Sequence, residues 1–347
     1  MKKTKMLAAL TAMVLGLVFV SCPSPNNGVN PSPENPENQN PDSGNGSTTT
    51  TSWTRDSSGI KVNGESNPLQ FTAEVNVIES AATVTRVGDN GAFRTGTGLT
   101  STVTISPYAI GKYEVTQELY EKVMTGNTDG VSATPSICVP GSTDCALPSS
   151  VAGEQKYRPV ENVSWFDAVY FCNRLSEKLG LDKAYNITVT QKDSSGKITG
   201  ATVELIPGKK GYRIPADEEW EFAARGADTE ADAWNYIYSG SNSINEVGWY
   251  QCNNDGRTPT DTTDITNDPA NRGTHQVGQK TANSKGIFDM TGNVWEWCYG
   301  ENSNQAKRDS GGSWAMNANN CVVKNHNAGM SEFSGNSSTG IRLVRSL

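Results

Sequence analysis

The chain predicts an α+β fold in which much of the backbone is irregular. Three observations carry that expectation. Short runs alternate apolar and polar residues with the period of a strand, at 73–78 and 101–106. Longer runs repeat apolar residues at helical spacing behind N-cap residues, Thr116 and Ser164. Long stretches rich in Gly, Asn, Asp, Ser and Thr lie between them.

In order along the chain, the first element is an address. Met1-Lys-Lys-Thr-Lys5 is basic, and residues 7–20 are apolar over a length that suits a signal peptide and falls short of a membrane span. The leader, 1–21, ends in Phe19-Val20-Ser21 before Cys22. A small residue followed by cysteine there is similar to a bacterial lipobox, which makes Cys22 the expected site of lipidation. Multiple acyl chains give stable anchoring where one does not. Residues 22–51 hold no aromatic residue and one aliphatic residue, Val29, so they cannot bury enough apolar surface to offset their ordering entropy. They are expected to form a disordered tether. Residues 52–72 are an extension whose structure the pattern leaves open. The folded domain is expected over 73–347.

Within it, strands are expected at 73–78 and 101–106, then a helix at 117–124 capped by Thr116. The loop-rich stretch 126–153 contains Cys138 and Cys145, seven positions apart, a plausible local disulfide in an exported protein. Ser164 and Asp167 have capping-box spacing and open the clearest helix. Its apolar face carries Trp165, Ala168, Val169, Cys172 and Leu175, and Gly180 stops it. Cys172 is therefore expected as a buried thiol. A hairpin is expected around Asp193-Ser-Ser-Gly196, and a third helix at 217–225 whose acidic start complements the helix dipole. Residues 227–285 read mostly as loop.

Bulk properties exclude some functions. The 347 residues carry a net charge of −8, with no basic stripe to neutralise phosphates, so nucleic acid is not an expected partner. Only two histidines occur, His275 and His326, which argues against a histidine-rich metal site or a Ser-His-Asp hydrolase. All eight tryptophans lie between Trp53 and Trp314, enough aromatic area for a real core.

Several motifs then occur in one order. They are Tyr113-Glu-Val-Thr116, Pro159-Val-Glu-Asn-Val-Ser-Trp165, Tyr212-Arg-Ile-Pro-Ala-Asp-Glu-Glu-Trp220, Gly292-Asn-Val-Trp-Glu-Trp297, Gly311-Gly-Ser-Trp314 and Gly340-Ile-Arg-Leu-Val-Arg345. Together they resemble the formylglycine-generating-enzyme (sulfatase-modifying factor) family from about Ala73 to Arg345. The resemblance implies a C-type lectin-like variant of the α+β class.

In the enzymes of that family two cysteines bind copper and activate oxygen, and soft thiolates suit Cu(I). Here Met316 stands at the first of those positions, and Cys321 at the second is a thiol. Ser313 matches the active-site serine. With one thiolate of two missing, copper is not expected, and an enzyme would rest on Cys321 and Ser313 alone. Cys321 is expected to be structural, paired with Cys298 or Cys252. The resemblance also implies a structural calcium ion held by the Asp289 and Glu296 side chains and the Gly292 and Val294 carbonyls, an all-oxygen set suited to Ca²⁺.

The C-terminal segment 311–345 is also similar to the variable region of lectin-type proteins diversified by retroelements, where adenine mutagenesis makes Asn codons the hot spots. Six asparagines follow Gly311, interspersed with framework residues such as Trp314 and Cys321. That resemblance implies variable, ligand-contacting positions at Ala315, Met316, Asn317, Asn319, Asn320, Asn325, His326, Asn327 and Ala328. The expected function is a lipoprotein anchored at the outer surface of a bacterial envelope that binds a protein or glycan on another cell or host surface. A copper-dependent oxidase that matures sulfatases is the alternative, and a structural envelope lipoprotein is the second.

Overall fold

The computed structural model describes residues 51–85, 102–253, 272–300 and 307–347, apart from single positions 64, 66, 144, 146, 148 and 195. The expected leader, tether and Cys22 lie outside the described residues, as does the stretch 254–271 of the expected loop.

Two four-stranded sheets organise the described chain. The first has the order β3-β6-β14-β9 and is antiparallel throughout, from β3 (Glu74–Ile78), β6 (Tyr108–Gly111), β14 (Val344–Ser346) and β9 (Tyr212–Arg213). The last strand thus lies between β6 and β9, which ties the C-terminus into the core. The second sheet has the order β12-β11-β10-β13, from β12 (His326–Met330), β11 (Lys307–Ser310), β10 (Trp295–Cys298) and β13 (Thr339–Gly340). Its β10–β13 pair is parallel and its other pairs are antiparallel. Two-stranded ribbons complete the strands: β1 (Trp53–Asp56) with β2 (Gly59–Val62), β4 (Ala82–Thr85) with β5 (Thr102–Ile105), and β7 (Tyr185–Lys192) with β8 (Ile198–Leu205).

The helices form where their caps and periodicities direct. In α1 (Gln117–Met124) the Thr116 hydroxyl accepts the Leu119 N–H, and Leu119, Tyr120, Val123 and Met124 face inward. In α2 (Trp165–Lys178) Ser164 and Asp167 complete a reciprocal capping box. Chain reversal follows at Gly180, whose φ of 67° suits glycine. In α3 (Asp217–Ala224) Ala216 has no side chain that can cap. Glu219 reaches back to its N–H and holds Arg213 at 2.5 and 2.6 Å, so the acidic first turn is both dipole partner and ion-pair anchor. A short α4 (Ile244–Val247) lies in the irregular stretch.

Residues 52–72 belong to the folded unit. Trp53, Ile60, Val62 and Leu69 join the main core with α1, α2, Trp165 and Trp297, and Lys178 sits over the Trp53 ring. A second core packs Trp220, Phe222, Met290 and Val344 beneath α3. Buried tryptophan N–H groups find carbonyls across long separations: Trp165 bonds Cys298, and Trp297 bonds Val163. Among the described residues no helix is long and apolar enough to cross a membrane.

The expected Cys138–Cys145 disulfide is present. The expected pairing of Cys321 with Cys298 or Cys252 is corrected: all three are buried thiols, as is Cys172. The apolar clusters around them supply the packing that cross-links would otherwise provide.

Candidate functional site

The second sheet and the Gly-Gly-Ser-Trp turn build one face. Gly311 and Gly312 take φ values of 96° and 79°, and a Cβ on Gly312 would overlap Cys321 Sγ. That close approach explains the glycine and locks the turn onto the cysteine. Trp314 then donates its backbone N–H to the Asn293 carbonyl and its indole N–H to the Ser337 carbonyl. Asn293 is itself a hub: its side chain bonds Glu114 at 2.6 Å and accepts the His275 N–H at 2.9 Å. A one-turn 3-10 helix, Ala318–Asn320, follows, capped by the Asn317 side chain.

This alternation sorts the segment into framework and face. Trp314, Ala318, Cys321 and Val323 are buried. Asn317, Asn319 and Asn327 are exposed, while Ala315, Met316, Asn320 and Asn325 are half-buried between them. The side chain of Ala328 lies outside the described residues. His326, expected to contact ligand, is corrected to an inward position with 4% exposure. It begins β12, where its ring meets Ser310 Oγ at 2.6 Å and Glu221 Oε2 at 3.5 Å and stands edge-on to Trp220. This Ser-His-Glu series presents Nδ1 to the serine and Nε2 to the carboxylate, the reverse of a hydrolase triad, and Ser310 is fully buried.

The two residues an oxidase would need are also inward. Cys321 is fully buried, its Sγ donates to the Ser313 carbonyl at 3.8 Å, and burial pushes its thiol up to about 12. A thiol in that range is almost wholly protonated near neutrality, so it is a poor nucleophile. Ser313 is fully buried as well. Met316 packs at the edge of the cluster that holds Cys321, Cys252 and Tyr250, and its carbonyl accepts the Gln251 N–H.

The residues expected around calcium are placed as follows. Both oxygens of Glu296 are engaged, by Arg342 Nε and Nη2 at 2.6–3.0 Å and by the Trp220 indole at 2.6 Å. Asp289 Oδ2 accepts the Gly278 N–H, and its Oδ1 is buried without a hydrogen-bond partner. The Val294 N–H goes to Glu114, and Gly292 packs on the Trp249 carbonyl with a φ of 75°. Among the described residues no three His, Cys, Asp or Glu side chains are disposed to hold a metal ion. Asp289 Oδ1 is the one feature that fits a cation. The Glu296 carboxylate is shared with Arg342 and Trp220, and no step below runs through a metal. Burial and the Asp289 and Glu296 charges hold the Glu114 carboxyl well above its usual range, and burial brings Asp289 to about 6.

Sequence reasoning missed the aromatic stack beside this face. His275 lies parallel to Trp249 with centroids 3.8 Å apart, and Lys280 Nζ sits 3.9 Å from the same indole centroid. The three come from a stretch with no periodicity, so nothing local signalled their meeting.

A lectin-type turn on a mixed sheet, with a buried cysteine beneath a glycine pair, defines the class. Residues 72–347 match the sulfatase-modifying factor enzyme 1-like domain, and the chain belongs to that family. The chain is 38% identical over 251 residues to "Chaperone protein LppX" of Paenibacillus barcinonensis, covering 68% of this chain and 80% of that protein. It is 39% identical over 89 residues to the formylglycine-generating enzyme of Mycobacterium tuberculosis, a match that covers 26% of the enzyme. Among solved structures it is similar to Treponema denticola variable protein 1, with a TM-score of 0.57 and 26% identity over 86% of this chain and 99% of that one. The α+β fold expected from sequence is thus the observed one, and both resemblances hold at the level of family and fold.

Proposed function

We propose that this protein is a ligand-binding lipoprotein held at the bacterial envelope through Cys22, and that it binds through the face at 315–327 without chemical turnover. One observation carries the reading: beneath that face Cys321, the thiol of the expected copper pair, is fully buried, and the other position of the pair holds Met316. Chemistry is lost while the scaffold is kept. Solvent-facing side chains on a rigid framework suit recognition, as loops on scaffolds do elsewhere.

The relative named as a chaperone, matched over most of its length, supports a protein rather than a glycan as ligand. Likeness to a variable protein supports diversification of the exposed positions. Sequencing the codons for 311–347 across many cells of one culture tests this. Substitutions are expected at Ala315, Met316, Asn317, Asn319, Asn320 and Asn327, with Trp314 and Cys321 unchanged. A uniform sequence across cells, with no template repeat nearby, would sink diversification and leave a binder of fixed specificity.

A further inference from the structure

Cations overhang aromatic rings at five places among the described residues. Three of these cations are also ion-paired: Lys156 with Glu118, Arg225 with Glu221 and Lys307 with Glu332. Lys178 and Lys280 form no ion pair among the described residues. Lys178 lies over Trp53 at the main core. Lys280 lies over Trp249, and its ammonium donates to the Asn245 carbonyl at 2.8 Å. Burial lowers its pKa, and Asp289 opposes that from beyond ion-pair distance, with one carboxylate oxygen turned to the Gly278 N–H. An ammonium carries several N–H donors and one is used here, so others remain for an acceptor from outside.

Backbone hydrogen bonds fix where this pair stands. The Asn293 N–H bonds the Trp249 carbonyl, and the Asn293 carbonyl takes the Trp314 N–H, both at 2.8 Å. The Gln251 N–H bonds the Met316 carbonyl at 2.9 Å. Hydrogen-bonded neighbours of this kind run about 4.8 Å apart, so Gln251 lies one spacing from Met316 and Trp249 two from Trp314. The two segments turn Tyr250, Ala318 and Cys321 into one buried cluster. Their neighbours Trp249, Gln251, Met316 and Asn317 stay half-buried or exposed. A standard protein interface covers about 800 Å² on each partner, wide enough to take in both segments.

The cation is also held in place. His275 lies parallel to the indole at 3.8 Å, and the Asn293 side chain holds both its N–H and its carbonyl. A ring at 3.8 Å and an ammonium at 3.9 Å cannot share one face of the indole, so His275 and Lys280 sandwich it. A surface charge normally loses side-chain entropy when it pairs, and Lys280 has already lost much of it. The chain carries a net charge of −8, so a fixed, half-buried and unpaired ammonium beside 315–327 is a local exception that favours negative charge.

We infer that Trp249, Gln251 and Lys280 form a constant flank of the ligand-binding surface, and that the Lys280 ammonium receives a carboxylate of the protein ligand. This rests on the ligand-binding reading and adds its chemistry: beside the positions at 315–327 lies a fixed contact for an acidic side chain.

Imidazole proton NMR of the full-length chain, titrated with the peptide hexaglutamate at constant ionic strength, tests it. The chain has two histidines, His275 against the same indole and His326 in the interior. The His275 resonance is expected to shift saturably with His326 unmoved, and hexalysine is expected to move neither. K280M should bind hexaglutamate about fivefold more weakly, and K280R within about twofold of wild type. An unchanged His326 resonance in each variant reports an intact fold. A silent His275, equal binding by K280M and wild type, or equal losses in K280M and K280R would overturn the inference. Codon substitutions at 315–327 with a silent His275 would sink the carboxylate contact alone. Cys321-dependent oxidation of a peptide cysteine, with the hexaglutamate response intact, would instead sink the ligand-binding reading, so the two failures are distinguishable.

Discussion

Single residues carry the case for the proposed binding role over an oxidative one. The exchange of a cysteine for Met316 was legible in the sequence, but the inward position of Cys321 was not. The long-range charge pattern was illegible too: Glu114 and Asn293 meet across 179 positions, and no local periodicity encodes that meeting. Glu296 shows the same limit, because its motif suggested a metal ligand while its partner Arg342 sits 46 positions away. Asp309 gives a test at this scale. It is fully buried, one of its oxygens has no partner, and burial brings its carboxyl to about 7. Its folded-state pKa lies above the unfolded value, so its stabilising contribution is full below about pH 4 and is lost as pH rises through 7. Between those limits the wild type should lose up to about 1.4 kcal/mol per pH unit relative to Asp309→Asn. Urea unfolding at pH 5 and pH 8 measures this, and parallel profiles for the two proteins would refute the assignment.

Elements were more legible than contacts, for a physical reason. Caps and periodicities are local, so α1 and α2 with their N-caps, the β7–β8 hairpin and the start of α3 all fall where the sequence puts them. The β1–β2 hairpin was missed although its turn, Asp56-Ser57-Ser58-Gly59, repeats the tetrapeptide read as a hairpin at 193–196 and Asp56 Oδ1 accepts the Ser58 N–H. Along 315–327, the division into framework and exposed positions followed the interspersed asparagines, while His326 broke the pattern because β12 turns it toward α3. The element predicts unequal tolerance. Asn319→Tyr, at an exposed position, should change unfolding free energy by no more than about 0.5 kcal/mol. Gly312→Ala combines a positive φ with overlap on Cys321 and should cost at least about 2 kcal/mol. Chemical denaturation of both variants checks this, and equal costs would mean that the turn is not the anchor of the face.

At the scale of the whole molecule, the chain is a sulfatase-modifying-factor domain whose last strand is locked between its first sheet's strands. The two sheets and their tryptophan cores hold the C-terminal segment on a fixed frame, so its exposed positions can change without unfolding the rest. The central claim is that this frame presents a surface and performs no oxidation. Mass spectrometry of a peptide carrying a sulfatase-type cysteine, incubated with the full-length protein, Cu(I) and oxygen, tests it most directly. The account predicts that the peptide cysteine is unchanged relative to a Cys321→Ser control. Conversion of that cysteine to formylglycine, dependent on Cys321, would contradict it.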